Sequence, residues 1–292
     1  MRDTIEIMTL PRSDARPPRP ARSQHVFEVV RTERLTPHLV RVVVGGPAFD
    51  AFVAEADPVT LAKTDKYVKL LMAKPGLGLR PPYDLDALRA ELAPEDVPVR
   101  RTYTVRALDA EERTLAIDFV VHGDEGIAGP WAASAQPGDL LALSGPGGMY
   151  APSDDAAIEH LLLGDESALP AIAAALEAMP AHARGLALIE VGGATDRLPF
   201  AHPEGIEVRW VHRDGAVAGE RLVAAVQDLP RPAGGVRVFA HGERTAMKGI
   251  RAVLQGWGLT REDFSLSAYW ALGRAEDTFQ AEKRLPVGDL FA

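Results

Sequence analysis

The 292-residue sequence predicts a β + α/β protein of two domains, a six-stranded antiparallel β-barrel followed by a parallel-sheet domain of the nucleotide-binding type. Three observations predict it. The chain is long for one domain and gives each of two halves room for its own core. Its first half consists of short β-branched and aromatic runs separated by Gly and Pro turns, with few helical runs. Its second half mostly alternates apolar strand-like runs with helical segments, and that alternation implies crossover helices over a parallel sheet. The boundaries follow as a disordered tail over 1–22, the barrel domain over 23–153, and the α/β domain with a C-terminal helix over 154–292.

Taken in order, Met1 to Arg22 lacks a signal peptide's apolar core and sets Pro11, Pro17, Pro18 and Pro20 among arginines, so it is expected to be disordered. Six runs then read as strands: Val26–Val30, Leu39–Val44, Tyr67–Met72, Arg101–Arg106, Thr114–Val121 and Asp139–Leu143. Turns at Gly45-Gly46-Pro47, Lys74-Pro75-Gly76 and Pro137-Gly138-Asp139 punctuate them, as in a small antiparallel barrel. Gly76 to Pro98 is an insertion carrying a short helix over Asp84–Leu92. Gly145-Pro146-Gly147-Gly148 reads as a turn closing the barrel, because no Gly-Lys-Ser/Thr follows at the spacing of a phosphate loop. Beyond Asp154, strand-like runs at Leu161–Leu163, Leu186–Val191, Val208–Val211, Val236–Ala240 and Phe264–Ala268 are joined by helical segments at Leu169–Met179, Glu220–Gln227 and Thr245–Gln255. Gly192 to Gly205 carries no clear helix, and Gly273 to Arg284 is the expected final one.

Composition excludes several function classes. A net charge of −9 without a long basic block argues against nucleic acid or an anionic membrane as partner. No cysteine is present, so disulfides, a thiol nucleophile and a thiolate-held iron–sulfur cluster are excluded. Redox chemistry in this chain has to ride on a bound organic cofactor. No apolar run reaches the ~20 residues of a membrane helix, and without a targeting segment the cytoplasm is the default location. The eight histidines show no His-x-x-x-His or similar spacing, so no protein-bound metal is expected.

In Arg101-Thr102-Tyr103-Thr104-Val105-Arg106, alternation puts Arg101, Tyr103 and Val105 on one face and Thr102, Thr104 and Arg106 on the other. A ring, a hydroxyl and a planar guanidinium within four residues are what a flavin dinucleotide requires: cover for the ring, a polar contact at its edge and a fork for the diphosphate. An ordinary strand with outward Arg and Thr has the same composition. Asp118 to His122 runs into the glycine-spaced turn Gly123 to Gly129 and a short helix from Pro130, a start suited to phosphate or simply a tight barrel turn. His122 is either a cofactor contact or a strand-end histidine, and Trp131 reads as packing. Gly164-Asp165-Glu166-Ser167-Ala168 opens the first β-α unit, where two acids and a serine either cap the helix or sit beside a dinucleotide. Ser167 lacks a Gly-x-Ser-x-Gly elbow and is no hydrolase nucleophile. Gly242-Glu243 repeats the strand-to-turn logic, and Tyr269-Trp270 follow the last strand, where they either cover a redox ring or fill the core.

Together these stretches resemble the siderophore-interacting protein family, flavin-dependent ferric-siderophore reductases related in architecture to ferredoxin–NADP reductases. The motifs that carry the resemblance are Tyr67-Val68-Lys69-Leu70, Arg101 to Arg106, Asp118 to Gly123 with its glycine turn and Trp131-Ala132, Gly164 to Pro170, and Tyr269-Trp270 with Gly273-Arg274. The family's turn usually reads Gly-Pro-Ala-Ser; here Ile127 replaces the proline and Gly129 the serine, which removes one expected phosphate contact. Ser167 replaces the commoner threonine.

The resemblance implies FAD held at Arg101, Tyr103, Thr104, Asp118, His122, Gly126, Ala128, Gly129, Trp131 and Ala132, with Tyr103 and Thr104 positioning the reactive ring and no acid/base residue assigned. It implies NAD(P)H, NADPH ahead of NADH, or else a ferredoxin, delivering electrons past Asp165, Glu166, Ser167, Ala168, Gly242, Glu243 and Trp270. Lys66, Lys69, Arg274, Lys283 and Arg284 would steer an anionic ferric siderophore. The expected activity is NAD(P)H-dependent reduction of its iron(III) to iron(II) by a monomer. A flavin reductase or oxygenase electron-supply component, and a non-catalytic siderophore carrier, are the alternatives.

Overall fold

The structure, a computed structural model, describes residues 23–123 and 126–291; the expected tail over 1–22 lies outside them. Six strands, β1 (His25–Thr36), β2 (Leu39–Gly45), β3 (Tyr67–Met72), β4 (Val99–Asp109), β5 (Thr114–Val120) and β6 (Leu140–Gly147), close a barrel in the order β1-β2-β5-β4-β3-β6. Every neighbouring pair is antiparallel, and closure leaves no unpaired edge. The period of two decides what faces inward: Val40, Val42 and Val44 of β2, Val68 and Leu70 of β3 and Ile117 and Phe119 of β5 fill the interior. Tyr67 and Lys69 take the opposite face, across from Thr104 and Thr102.

Helices α1 (Ala48–Glu55) and α2 (Pro58–Leu61) were not anticipated from the sequence. Their signal is short: α1 commits Phe49 and Phe52 to the barrel core, Phe52 edge-on to Phe27 at 5.8 Å, and α2 rests on the Asp57 cap, which accepts from the Thr60 N–H. The insertion forms the expected helix α3 (Leu85–Glu91), capped by Asp84, and α4 (Ala128–Ser134) follows the glycine turn. Gly145-Pro146-Gly147 corrects an expectation. These residues belong to β6, and Gly147 pairs with Tyr67, whose ring lies where a Cβ on Gly147 would sit, at 2.5 Å.

In the second half β7 (Glu159–Gly164), β8 (Arg184–Val191), β9 (Ile206–His212), β10 (Val236–Glu243) and β11 (Phe264–Trp270) form a parallel sheet in the order β11-β10-β7-β8-β9. Helices α5 (Leu169–Ala178), α6 (Glu220–Gln227), α7 (Arg244–Gly256) and α8 (Glu276–Glu282) complete it. Both faces of the central strands are covered, Leu161 and Leu163 toward the α6–α7 core and Leu162 toward α5, which explains their unbroken apolar runs. The chain leaves β7 for β8 and β9, then returns to β10 and β11, so the topological switch point lies between β7 and β10.

The two halves share a seam. Leu39 and Tyr150 join the α5-side core, and Arg106 of β4 makes a two-point ion pair with Glu177 of α5 at 2.8 and 2.5 Å. Tyr269 and Trp270, expected beyond the last strand, are the final residues of β11.

Candidate functional site

Strand β4 presents its motif to both sides. Arg101 and Tyr103 lie opposite Leu70 and Val68, whereas Thr102 and Thr104 lie opposite Lys69 and Tyr67. The Tyr103 ring rests on Phe119 with centroids 4.4 Å apart and planes tilted by 34°, and Phe119 is backed in turn by Trp131 at 5.6 Å. Burial raises the Tyr103 phenol well above its ordinary pKa, and the neighbouring Glu276 carboxylate pushes the same way, so the ring stays neutral. Arg101 donates from both terminal nitrogens to Asp277 of α8, at 2.8 and 3.0 Å. Thr104 is buried, and its hydroxyl lies near that of Tyr269 at the end of β11, across the seam.

The glycine turn behaves differently from its sequence reading. Ala128 and Ala132 are buried in the barrel core, so only their backbone can face a ligand, and Trp131 is packing as expected. Gly126 has φ +81°, and a Cβ on Gly129 would come within 3.3 Å of the Val120 carbonyl, so both positions favour glycine. Among the described residues no side chain caps α4, and Ile127 stands at the cap. His122 is exposed at the end of β5. Asp118 is not part of this cradle. Both its oxygens are taken by Arg41 on the adjacent strand, at 2.6 and 2.8 Å, within electrostatic reach of Glu177 on α5.

At the switch point the acids turn inward. The Asp165 carboxylate accepts four hydrogen bonds, from the Ser167 N–H (2.9 Å) and hydroxyl (2.5 Å) on one oxygen and from the Glu243 N–H (2.9 Å) and Trp270 indole N–H (2.8 Å) on the other. Burial raises its pKa, but four donors aimed at one carboxyl group suit the ionised form. Gly242, φ +155°, permits this: a Cβ there would lie 2.7 Å from the carboxylate. Glu243 caps α7 through the Thr245 and Ala246 N–H groups and reaches the Leu272 N–H at 3.1 Å. Glu166 accepts from the Gly192 N–H and from both terminal nitrogens of Arg213, and Ala168 is fully buried. Of the amides at these turns, those of Ser167, Gly192, Thr245 and Ala246 hold the chain's own carboxylates. Arg213, Arg209 and Arg197, the basic residues near the sheet's edge, are engaged with Glu166, Glu207 and His212.

Of the five basic candidates, the structure brings Lys69 and Lys283 into electrostatic reach of one another. Lys69 donates to the Thr102 hydroxyl and lies 5.3 Å from the centre of the Tyr67 ring. Lys283 covers the Phe279 ring at 4.5 Å; partial burial lowers its pKa, the Lys69 charge adds to that, and Glu276 opposes it. Burial also lowers the pKa of Lys66, with Asp65 opposing. Arg274 is spent on Glu282, at 2.9 Å, and Arg284 lines a cavity of about 670 Å³ between β11 and the C-terminal segment. Sequence reasoning missed Tyr67 and Asp277. The first was visible as an aromatic in a quoted motif, while nothing in the spacing links Asp277 to Arg101, 176 residues away. Among the described residues no group of three His, Asp or Glu side chains is arranged to hold a metal, and no helix is long and apolar enough to cross a membrane.

A closed antiparallel barrel, a parallel sheet with a switch point, and an arginine-tyrosine-threonine strand at their seam make up a two-domain architecture of the ferredoxin–NADP reductase type. Residues 28–150 match the family model described as the siderophore-interacting FAD-binding domain, and residues 157–273 match that described as the siderophore-interacting protein. The chain belongs to the siderophore-interacting protein family. It is 37% identical over 201 residues to ferric vibriobactin reductase ViuB of Vibrio cholerae, covering 68% of this chain and 74% of that one. It is 30% identical over 246 residues to the NADPH-dependent ferric-chelate reductase of Escherichia coli, covering 83% and 91%. The crystal structure of a siderophore utilization protein from T. fusca superposes with a TM-score of 0.73 at 36% identity, over 87% of this chain and 94% of that one.

Proposed function

We propose that this chain is a FAD-dependent reductase that passes electrons from a reduced nicotinamide nucleotide to iron(III) in an anionic siderophore, releasing iron(II). The observation that carries the reading is the Tyr103 ring, backed by Phe119 and Trp131 and set two residues from a forked guanidinium, in the segment matched by a FAD-binding family model. The residues fit such a cofactor: Tyr103 supplies a flat apolar face, Arg101 a fork for diphosphate, and the Gly126–Ala132 turn close backbone approach. Bound there, the flavin supplies the conversion of a two-electron donor into one-electron steps, so two iron(III) ions are reduced per nucleotide.

The chain's own residues do the rest. Tyr103 and Phe119 fix the ring plane, and the Arg106–Glu177 pair ties the two domains together. Lys69 and Lys283 form a positive rim for an anionic chelate in an otherwise acidic protein. Because hard oxygen chelators hold iron(II) less well than iron(III), reduction is enough to loosen the metal, and the protein needs no iron ligands. The nucleotide approaches at the carboxyl ends of β7 and β10, where Asp165, Ser167 and Glu243 serve as wall and brace.

The purified protein, loaded with FAD and kept without air, is mixed first with NADPH and then with a ferric siderophore. Bleaching followed by return of the yellow colour and formation of iron(II) is expected. Colour that returns only with oxygen would mark a general flavin reductase, and failure to retain FAD would remove the proposal. Exchanging Lys69 and Lys283 for Gln should raise the KM for an anionic chelate and leave that for NADPH unchanged; an unchanged chelate KM would discard the rim.

A further inference from the structure

The Arg101 side chain is 15% exposed, whereas its partner Asp277, at the start of α8, is 67% exposed. Nη1 donates to Asp277 at 2.8 Å and to the Arg100 carbonyl at 2.9 Å, and Nη2 donates to the second Asp277 oxygen at 3.0 Å. A guanidinium has five N–H groups in a fixed plane. Three have partners among the described residues, and the two others, on Nε and on the outer side of Nη2, lie parallel along one edge. That edge is itself a two-point donor for an oxyanion. Asp277 therefore occupies the end of the fork and leaves its side open. Without an acid at the end, a long flexible side chain has many ways to point.

Tyr103 stands two residues along the same face of β4, about 6.6 Å away at the usual strand rise. We infer that Asp277 is a positioning residue: it aims the free edge of Arg101 at the diphosphate of a flavin dinucleotide whose ring lies on Tyr103. The inference rests on the FAD reading above and goes beyond it. It gives an acidic residue of the second half a role in holding a negatively charged cofactor on the first, and it makes α8 part of the cofactor site. The charge of Asp277 would repel a diphosphate, but it faces solvent and is neutralised at the end of the guanidinium, whereas the ligand is offered its side.

The test is titration of flavin-free protein with FAD and, separately, with riboflavin, which has the ring but no phosphate. Binding is read by quenching of flavin fluorescence for the wild type and for Asp277→Ala, Asp277→Asn, Asp277→Glu and Arg101→Ala. Asp277→Ala and Asp277→Asn are expected to weaken FAD binding about tenfold and to change riboflavin binding by less than about twofold. Asp277→Glu restores part of the loss, and adding Asp277→Ala to Arg101→Ala costs nothing more, because the acid acts only through the arginine. The visible spectrum of the bound ring stays as in the wild type. FAD affinity that is unchanged or tighter in Asp277→Ala overturns the inference, tighter binding meaning that the acid competes for the fork. A parallel fall for riboflavin overturns it too, since a merely structural residue would act on both ligands. If the wild type binds neither flavin, the FAD reading itself fails, and the two failures are thereby told apart.

Discussion

Replacing Asp165 by Asn tests whether the switch point is a brace. The two residues have the same shape, but the amide carries an oxygen on one side only. In one orientation its NH2 group meets the Glu243 N–H and the Trp270 indole N–H; in the other it meets the Ser167 N–H and a hydroxyl that can turn to accept from it. The second orientation leaves a single donor without an acceptor, which costs about 1–3 kcal/mol, so the exchange costs about 2 kcal/mol. For a domain of this size that lowers the melting point of the second half by about 4–8 °C. Urea unfolding followed by tryptophan fluorescence measures it directly, because Trp270 is one of the donors. Trp270→Phe, which leaves one oxygen with a single donor, should cost about half as much. A stability change under 1 kcal/mol in Asp165→Asn, together with a large rise in KM for the nucleotide, would refute the brace and restore a direct role in nucleotide binding.

Other outcomes follow from the same structure. His241 is buried against Phe239 and Tyr269, and burial together with the Lys283 charge holds its pKa down to about 3. The unfolded chain binds that proton near pH 6.5 and the folded one does not, so the contribution is intact above pH 6.5 and is lost as pH falls toward 3. At pH 5 the wild type should have lost about 2 kcal/mol that His241→Phe does not lose, and parallel pH profiles of urea stability would contradict this. Asp118→Ala leaves Arg41 without its two-point partner on a largely covered barrel face and should cost about 3 kcal/mol without changing the spectrum of bound flavin; a shifted spectrum would return Asp118 to the cofactor site. A double-mutant cycle on Arg106 and Glu177 should give a coupling of about 1 kcal/mol that weakens with salt, and zero coupling would mean that the seam rests on apolar contacts alone.

Much of the architecture was legible because its signals are local. The β-branched run of Tyr67–Met72 is bounded by turn residues, and Glu220–Gln227 carries its own helical periodicity; both segments form over those bounds. Helix α1 escaped because two phenylalanines in eight residues make only a short stripe. At the site, residue types were readable but their partners were not. Asp165, Ser167, Glu243 and Trp270 were read as facing a nucleotide, and no spacing rule says that three of them donate to the fourth. Asp118 lies in a motif and is spent on Arg41, a cross-strand pair that depends on a register the sequence does not specify.

Helix α8 is tied down at both ends, by Asp277 to Arg101 of the barrel and by Glu282 to Arg244 and Arg274, with Phe279 buried between. On the ribosome the barrel strands emerge long before this segment does. The barrel arginine gains its acid only after a further 176 residues have been made, so a nascent first half has these strands without the tether.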